Sequence, residues 1–240
     1  MIIIDHLIAS LKGEAAVKDI RQGIFHTAVW TRSCGLAATL PRDALRQDPP
    51  LVKEPGSLTA KKPLELVNMA YSESVLEAAI GMAAINSLLE VDADSCRELN
   101  ASELIIEKGA GKRVVIVGHF PFLPRVREKA KELWVLEKNP QDGDCEASQA
   151  DLLIPCADVV AITGTALTNH TIEDLLALCR PGAFVLLLGD TAPLSPVFFD
   201  YGVDAVSGTL VVEPEIALHC VSQGANFRQI KGTRRLTMLK

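Results

Sequence analysis

The sequence lacks most of the features that assign a function class at sight. Its cysteines form no CxxC pair, no apolar run approaches the roughly 20 residues of a membrane span, and 24 Lys and Arg are outnumbered by 30 Asp and Glu. The net charge of −6 argues against a nucleic-acid partner, because such partners select basic faces. It also has no GxSxG, HExxH or P-loop motif, which disfavours serine hydrolases of that fold, zinc proteases and nucleoside triphosphatases.

The amino terminus and the scattered thiols predict a cytoplasmic protein with no membrane partner. A signal peptide needs positive charge before a longer apolar run, and this sequence has Asp5 there instead. Its six cysteines are expected to be free thiols in a reducing compartment. Hydrophobic residues at 48% and charged residues at 22% are typical of a globular chain.

Two patterns divide the 240 residues into two predicted domains. Residues 1–100 contain a β-hairpin or meander over residues 22–40, a loop-rich stretch over 41–63 and helices over 63–70 and 72–89, which is an α+β arrangement. Residues 101–240 alternate fully apolar strands with helices, which predicts a parallel sheet of Rossmann-like type. The fold class is therefore α/β, with a Rossmann-like domain preceded by a smaller α+β domain.

Polar and glycine residues follow the predicted parallel strands, where ligands bind in open α/β sheets. A small-molecule pocket is expected at this edge. The candidates, in chain order, are Gly118, His119, Glu137, Thr163, Gly164, Thr165, Asn169, Gly189, Asp190 and Thr191.

Glu137 lies at the spacing from Gly118 that suits a carboxylate on a ribose diol. The loop between them begins GHFPFL rather than GxGxxG, and its bulky Phe120 and Phe122 disfavour a dinucleotide pyrophosphate. Adenosylmethionine, which has no phosphate, remains an alternative cofactor. The other interpretation of Glu137 is a solvated carboxylate at a strand end.

The segment TGTALTNHT over residues 163–171 enters a predicted helix. Free N–H groups at a helix start bind anions, although Thr168, Asn169 or Thr171 could instead cap the helix. Thr171 and Asp174 have the spacing of a capping box. We therefore expect a ligand loop in which Thr165 and Asn169 donate or accept hydrogen bonds.

The histidines differ in their predicted positions. His119 and His170 follow strands, so each is a candidate general base or metal ligand, whereas His26 falls within a strand and is more typical of a core or surface residue. No histidine or cysteine pair has zinc-finger spacing, and a divalent metal, if any, has no predicted ligand set.

Beyond these patterns, the segments GHFPF and ITGTALTNHTIEDLL resemble the putative heavy-metal chelation domain family. The resemblance continues through residues 187–194 and 208–211 and covers about residues 111–223. Residues before about 95 resemble the small domain that precedes it in that family, at Val29 and Trp30 and over residues 84–86. Where relatives often have GPST, this chain has Gly189, Asp190, Thr191 and Ala192, which adds a carboxylate.

The resemblance implies a first domain like the small domain of enolases, a Rossmann-like second domain and a site between them. It also implies a role with metal-chelating compounds such as pterin-like or siderophore-like molecules. We therefore expect a small anionic or heteroaromatic ligand, with His119 or Asp190 as the acid or base and Trp30 and Asn86 reaching in from the first domain. A methyltransferase-like enzyme and a metal carrier are the alternatives, and a homodimer is the commonest assembly for such a chain.

Overall fold

The computed structural model describes residues 1–13, 15–46 and 52–240, and these form two β-sheets with helices packed on both. The mixed α/β fold class expected from the sequence is confirmed. The strands are β1 (Asp19–Gln22), β2 (His26–Trp30), β3 (Cys34–Ala38), β4 (Arg113–Val117), β5 (Glu132–Glu137), β6 (Cys145–Glu146), β7 (Val159–Thr163), β8 (Phe184–Leu188), β9 (Ala205–Val211) and β10 (Thr233–Leu239).

Helices connect these strands and cover their faces. The α-helices are α1 (Ile2–Ala9), α2 (Pro41–Ala44), α3 (Pro63–Val67), α4 (Val75–Leu88), α5 (Ala101–Gly109), α6 (Leu123–Lys129), α7 (Ala150–Leu153), α8 (Thr165–Thr168), α9 (Ile172–Ala177) and α10 (Pro214–Ser222). Short 3₁₀ turns occupy Leu58–Ala60, Asn68–Tyr71, Ala93–Ser95, Ala147–Gln149, Ile154–Cys156 and Pro196–Tyr201.

The smaller sheet is an antiparallel meander in the order β1-β2-β3. The predicted hairpin is confirmed, with His26 opposite Ala38 and Trp30 opposite Cys34. Helices α4 and α10 cover its two faces, so β2 and β3 are buried along most of their length. The His26 end of this sheet contacts the loop after β8, where the Ala38 backbone N–H donates to Thr191 Oγ1.

Helix α4 is more deeply buried than its predicted stripe of apolar residues implies. All of its residues except Leu76 and Asn86 are buried, because the helix lies between the smaller sheet and the larger one. Its sequence is mostly apolar with no single polar face, and its buried Glu77 accepts from the Lys53 backbone N–H and the Ser72 hydroxyl, which is typical of a helix with little solvent-facing surface. Gly81 permits the closest approach, since a β-carbon there would lie 2.0 Å from the backbone nitrogen of Ala70.

The larger sheet has the order β10-β9-β8-β7-β4-β5-β6. Strands β4 to β9 pair in parallel, and β10 pairs antiparallel with β9. The chain runs outward from β4 in both directions, so the strand order reverses between β4 and β7. A crevice outside the carboxyl ends of these strands is the usual ligand site of such a sheet.

One hydrophobic cluster runs through both sheets. It joins residues of α1, α4 and β2 to residues of β4, β7 and β8, and it includes the fully buried Phe198. A second cluster lies on the opposite face of the larger sheet, beneath α5 and α6. The two predicted domains thus share a core, and their division at residue 100 stays a prediction.

Local structure shows one element that the sequence did not predict, one wrong prediction and one that is confirmed. Helix α1 was not expected, and it forms because Ile3, Ile4 and Leu7 pack into the shared core. The predicted capping box at Thr171 and Asp174 is wrong, because the hydroxyl of Thr171 donates to Asn169 Oδ1 instead of capping α9. The predicted loop-rich stretch over 41–63 is confirmed over its described residues, where α2 and a 3₁₀ turn are short and the rest is turn and loop, and its residues 47–51 lie outside the described ranges.

None of the helices in the described part of the chain is long and apolar enough to cross a bilayer.

Asp158 fastens the start of β7 to the strands on either side. Its Oδ2 accepts from the backbone N–H of Arg113, its Oδ1 accepts from Arg180, and its backbone oxygen accepts from Phe184. The backbone bond from Arg113 is the largest cause that holds the pKa of Asp158 below its ordinary 3.8, and the two guanidinium groups add to it. The ionised carboxylate is therefore the form that stabilises the fold.

Asp158→Asn is expected to lower the free energy of unfolding at pH 7, because it removes the charge that the two arginines contact. The loss is about 1 kcal/mol, since water screens this partly exposed charge. Since the folded pKa is depressed, this contribution is present above the unfolded value of 3.8 and disappears as the pH falls through the lower folded value. Melting curves between pH 2.5 and 7 should therefore show the wild type and the variant converging in acid. The exposed Asp151→Asn serves as the control, and a constant gap at every pH would contradict the assignment.

Candidate functional site

A cleft of about 740 Å³ opens at the carboxyl ends of the parallel strands, between the larger sheet and the edge of the smaller one. The smaller sheet contributes His26 and Ala38. The remaining walls come from the loops after β4, β7 and β8, the middle of β9 and β10, the start of α5, Arg125 of α6 and the segment after α10. Its volume suits a small organic molecule rather than a single ion.

Six of the residues predicted from the sequence line this cleft together. They are Thr163, Gly164, Thr165, Gly189, Asp190 and Thr191. They come together because β7 and β8 are adjacent parallel strands, so the loops that follow them emerge at the same edge.

The loop carrying Asp190 is fixed from two sides. Thr191 Oγ1 accepts from the backbone N–H of Ala38 at 2.9 Å, which ties the loop to the smaller sheet. On the other side, a β-carbon at Gly164 would lie 2.5 Å from the backbone nitrogen of Ala192. The loop after β8 therefore has little freedom to move relative to β3 and β7.

Gly118 and Asn86 lie behind the cleft lining. Gly118 has φ +110, and a β-carbon there would lie 3.0 Å from the ring of Phe120, so this glycine makes room for that ring. The side-chain nitrogen of Asn86 donates to Leu36 O at 2.9 Å and lies 3.4 Å from the backbone oxygen of Asp190. Both residues shape the walls rather than contact the cleft.

His119 and Glu137 occupy a different part of the rim. His119 Nδ1 lies 2.9 Å from Asp144 Oδ2, and its backbone N–H donates to Glu137 Oε1 at 2.7 Å. Glu137 lines a separate shallow depression with Arg42, Asp43 and other residues. The acidic run at 142–146 thus supplies a partner for His119.

The other predicted residues also lie outside the cleft lining. Asn169 accepts from the Thr171 hydroxyl at 2.7 Å, and Trp30 lies beneath the ammonium of Lys18 at 5.0 Å from the ring centre. His170, whose φ is +63, has Nε2 2.9 Å from Ala70 O and so bridges to the turn before α4.

Asp190 has a histidine partner that comes from the smaller sheet. His26 Nε2 lies 2.9 Å from Asp190 Oδ2, and the hydroxyl of Thr209 donates to Asp190 Oδ1. The side chains of His26 and Asp190 are 8% and 5% exposed, so both groups lie at the cleft but largely out of contact with water. His26 Nδ1 is buried, with no hydrogen-bond partner among the residues that the structure describes. Such an imidazole, oriented by a carboxylate, has the arrangement of a general acid–base pair.

Aromatic and basic side chains form the outer walls. The rings of Phe120 and Phe122 stack at 5.1 Å between centroids and an interplanar angle of 17°. Three arginines, Arg125, Arg228 and Arg235, also line the cleft. The sequence gives the three arginines no site signal, and it predicts His26 as a core or surface residue, whereas the structure places His26 in the cleft lining. The bulk of Phe120 and Phe122 indicates only that a pyrophosphate is disfavoured.

The donors present do not form a resident metal site. Throughout the described ranges, no three His, Cys, Asp or Glu side chains come together in a group that could hold a metal ion. In the cleft, His26 and Asp190 are bonded to each other. Burial raises the pKa of the Cys34 thiol to about 12 and that of Cys179 to about 11, so neither is a ready thiolate ligand.

The family follows from comparison with known sequences. A family model described as putative heavy-metal chelation matches residues 100–240, which is more than half of the chain. The chain belongs to this family. A second model with the same description matches residues 4–89. The resemblance to the putative heavy-metal chelation family that the GHFPF and TGTALTNHT segments indicated is thereby confirmed.

Known proteins are similar to this chain in sequence and in fold. An uncharacterised protein of Methanocaldococcus jannaschii is 27% identical over 182 residues, 72% of this chain and 70% of the relative. The crystal structure of a protein of unknown function from Desulfitobacterium hafniense matches with a TM-score of 0.85 at 25% identity, over 99% of this chain and 97% of that one. One from Pyrococcus horikoshii gives 0.85 at 22% identity, over 99% and 98%.

Proposed function

We propose that the cleft binds a small heteroaromatic, anionic molecule of the kind that chelates metals, and acts on it through Asp190 and His26. The observation that carries this proposal is the Asp190–His26 pair, which is buried and faces a cleft of about 740 Å³ walled by stacked phenylalanine rings. A planar ring suits an aromatic wall, and ring N–H groups suit a carboxylate.

The family description supports this context in one specific way. The described donors do not form a metal site, so heavy-metal chelation by this chain is better explained by an organic chelator than by direct coordination. A chelator must lose protons before it coordinates a metal, and a buried acid–base pair is the group that exchanges such protons.

Each alternative from the sequence now has less support. The methyltransferase hypothesis placed a ribose on Glu137, which lines the separate depression beside Asn139 and not the cleft. The carrier hypothesis relied on carboxylates with His119 or His170, and the ring nitrogens of these histidines lie beside Asp144 and Ala70 O. Neither alternative is favoured by a specific observation.

We also propose a cytoplasmic location for this activity. All six cysteines are free, which suits a reducing compartment.

The test is a thermal-shift screen of the full chain with pterin, pterin-6-carboxylate, pyridoxine 5′-phosphate, adenosylmethionine, Zn²⁺ and Ni²⁺. A heteroaromatic probe at 100 times its dissociation constant adds about 2.7 kcal/mol, which raises the melting temperature by about 5 to 10 °C. Asp190→Asn is expected to weaken that probe about tenfold or more, because it removes a charge-assisted acceptor.

His119→Gln is the matched control, because His119 also pairs with a carboxylate but lies outside the cleft. It should retain the full shift. A rise in melting temperature with metal ions alone, or an equal loss of probe binding in both variants, would contradict the proposal.

A further inference from the structure

We propose that the rim of this cleft contains an anion subsite, formed by Arg228 and Arg235 beside Arg125, that holds a dianionic group of the ligand. The group is a phosphoryl group or a pair of carboxylates. This inference rests on the proposed function, since it assigns one part of the ligand that the cleft binds.

Arg235 lies close to the Asp190–His26 pair, through Thr209. In the β9–β10 pair Arg235 lies directly opposite Thr209, and the hydroxyl of Thr209 donates to Asp190. Directly opposite residues of an antiparallel pair have their side chains on the same face. A small ligand that contacts Asp190 therefore lies within reach of the Arg235 guanidinium.

Arg228 is linked to Arg235 through Phe227, because Phe227 contacts Arg235 and is followed directly by Arg228 in the chain. The Arg235 guanidinium lies 3.9 Å from the centre of the Phe227 ring, and one of its nitrogens donates to Phe227 O at 3.2 Å. Arg228 follows Phe227 directly, and its backbone N–H donates to Asn226 Oδ1 at 3.0 Å. The segment after α10 thus holds the Arg235 guanidinium in a fixed orientation, and its Arg228 lines the same cleft.

The third arginine extends the rim along the start of α5. Arg125 donates to Glu103 Oε1 at 2.6 Å, and Glu103 is in the first turn of α5. The residues just before that helix run beside β10, because Arg97 pairs with Thr237 in an antiparallel bridge. Arg125, Arg228 and Arg235 thus line the same cleft, from α6, the segment after α10 and β10.

The charges of these arginines are not balanced by the protein. Glu103 matches Arg125, but within the described ranges no carboxylate lies at ion-pair distance from Arg228 or Arg235. The cleft's own carboxylate, Asp190, is engaged with His26 and Thr209. Two positive charges are thus uncompensated in a chain whose net charge is −6, and a group with two negative charges is their natural complement.

Arginine also determines which anions fit. Its planar fork binds phosphoryl and carboxylate oxygens in pairs, and stacking on Phe227 already fixes the plane of the Arg235 fork. A single negative charge on the ligand would leave one of the two guanidinium groups without a partner. The subsite therefore selects a dianion over a monoanion.

The experiment is isothermal titration calorimetry of the full chain with two matched sets of probes. Pyridoxine and pyridoxine 5′-phosphate differ in one phosphoryl group, and pyridine-2-carboxylate and pyridine-2,6-dicarboxylate differ in one carboxylate. We expect the doubly charged member of one set to bind at least about tenfold more tightly, and the set with the larger ratio identifies the source of the charge.

Arg228→Gln and Arg235→Gln should each reduce that ratio to about threefold or less. Arg127→Gln is the control, since Arg127 is an exposed arginine on α6 that does not line the cleft. Its ratio should stay within about twofold of the wild type.

The two proposals fail in different ways. Ring probes that bind with equal affinity in charged and uncharged forms would overturn the subsite and leave the proposed function standing. Equal losses in Arg127→Gln and Arg235→Gln would overturn it too, because they would show a diffuse charge effect. If none of the probes binds, the proposed function fails and the subsite with it.

Discussion

Replacing Gly81 by alanine is expected to lower the free energy of unfolding by about 2 kcal/mol or more. A β-carbon at this position would lie 2.0 Å from the nitrogen and 2.5 Å from the α-carbon of Ala70. Both are backbone atoms, so no side-chain rotation can relieve the overlap. Helix propensity favours alanine over glycine by about 1 kcal/mol, and the overlap must therefore outweigh a gain of that size.

Urea denaturation, followed by circular dichroism, would measure this loss. Gly109→Ala is the comparison, because its β-carbon would meet one methyl group of Val114 at 2.7 Å, a side-chain atom that can shift. We expect Gly109→Ala to cost clearly less. If Gly81→Ala were as stable as the wild type, α4 and the turn at Asn68–Tyr71 could not pack as closely as described here.

Gly164→Ala is expected to weaken the best heteroaromatic probe about tenfold or more and to cost about 1 to 3 kcal/mol of stability. Its β-carbon would lie 2.5 Å from the nitrogen of Ala192 and 2.9 Å from the carbonyl carbon of Thr191. The loop that carries Asp190 must then move away from β7. Because Thr191 is also bonded to Ala38, the movement pulls against the smaller sheet.

Calorimetry with the probe and urea denaturation would separate the two effects. Gly143→Ala provides the contrast, since Gly143 has open space around its missing β-carbon and does not line the cleft. Its positive φ of 87° gives it a local cost in stability with no change in affinity. Full affinity in Gly164→Ala would mean that the position of the loop does not govern binding.

The larger sheet was readable from the sequence because its strands are buried on both faces. Such strands appear as unbroken apolar runs, and the run expected over residues 114–117 is observed at Arg113–Val117. Helix α1 gave no comparable signal. Its eight residues depend on packing against the turn at Pro196–Tyr201, and an isolated helix of that length is marginal in water.

The cleft residues that follow the parallel strands, such as Thr163 and Asp190, were predictable from the same strand pattern. The cleft residues contributed by other elements, such as His26 and Arg235, were not. Connectivity alone places Thr163 and Asp190 at one edge of the sheet, whatever their side chains do. The histidine that meets Asp190 comes from β2, and the pairing depends on how the smaller sheet docks, which no local pattern reveals. Arg235 likewise gains its place from the antiparallel pairing of β10 with β9. Phe120 and Phe122 had a local signal, their bulk directly after β4.

The hydrophobic cluster that runs through both sheets constrains how a ligand can enter. Many two-part proteins open and close by a hinge, with a largely polar seam between rigid bodies. Here a hinge would have to separate α4 from α8 and expose apolar side chains of both sheets to water. Entry and release therefore occur at the mouth of the cleft, where the exposed side chains of Arg125 and Arg228 can rotate without disturbing the core.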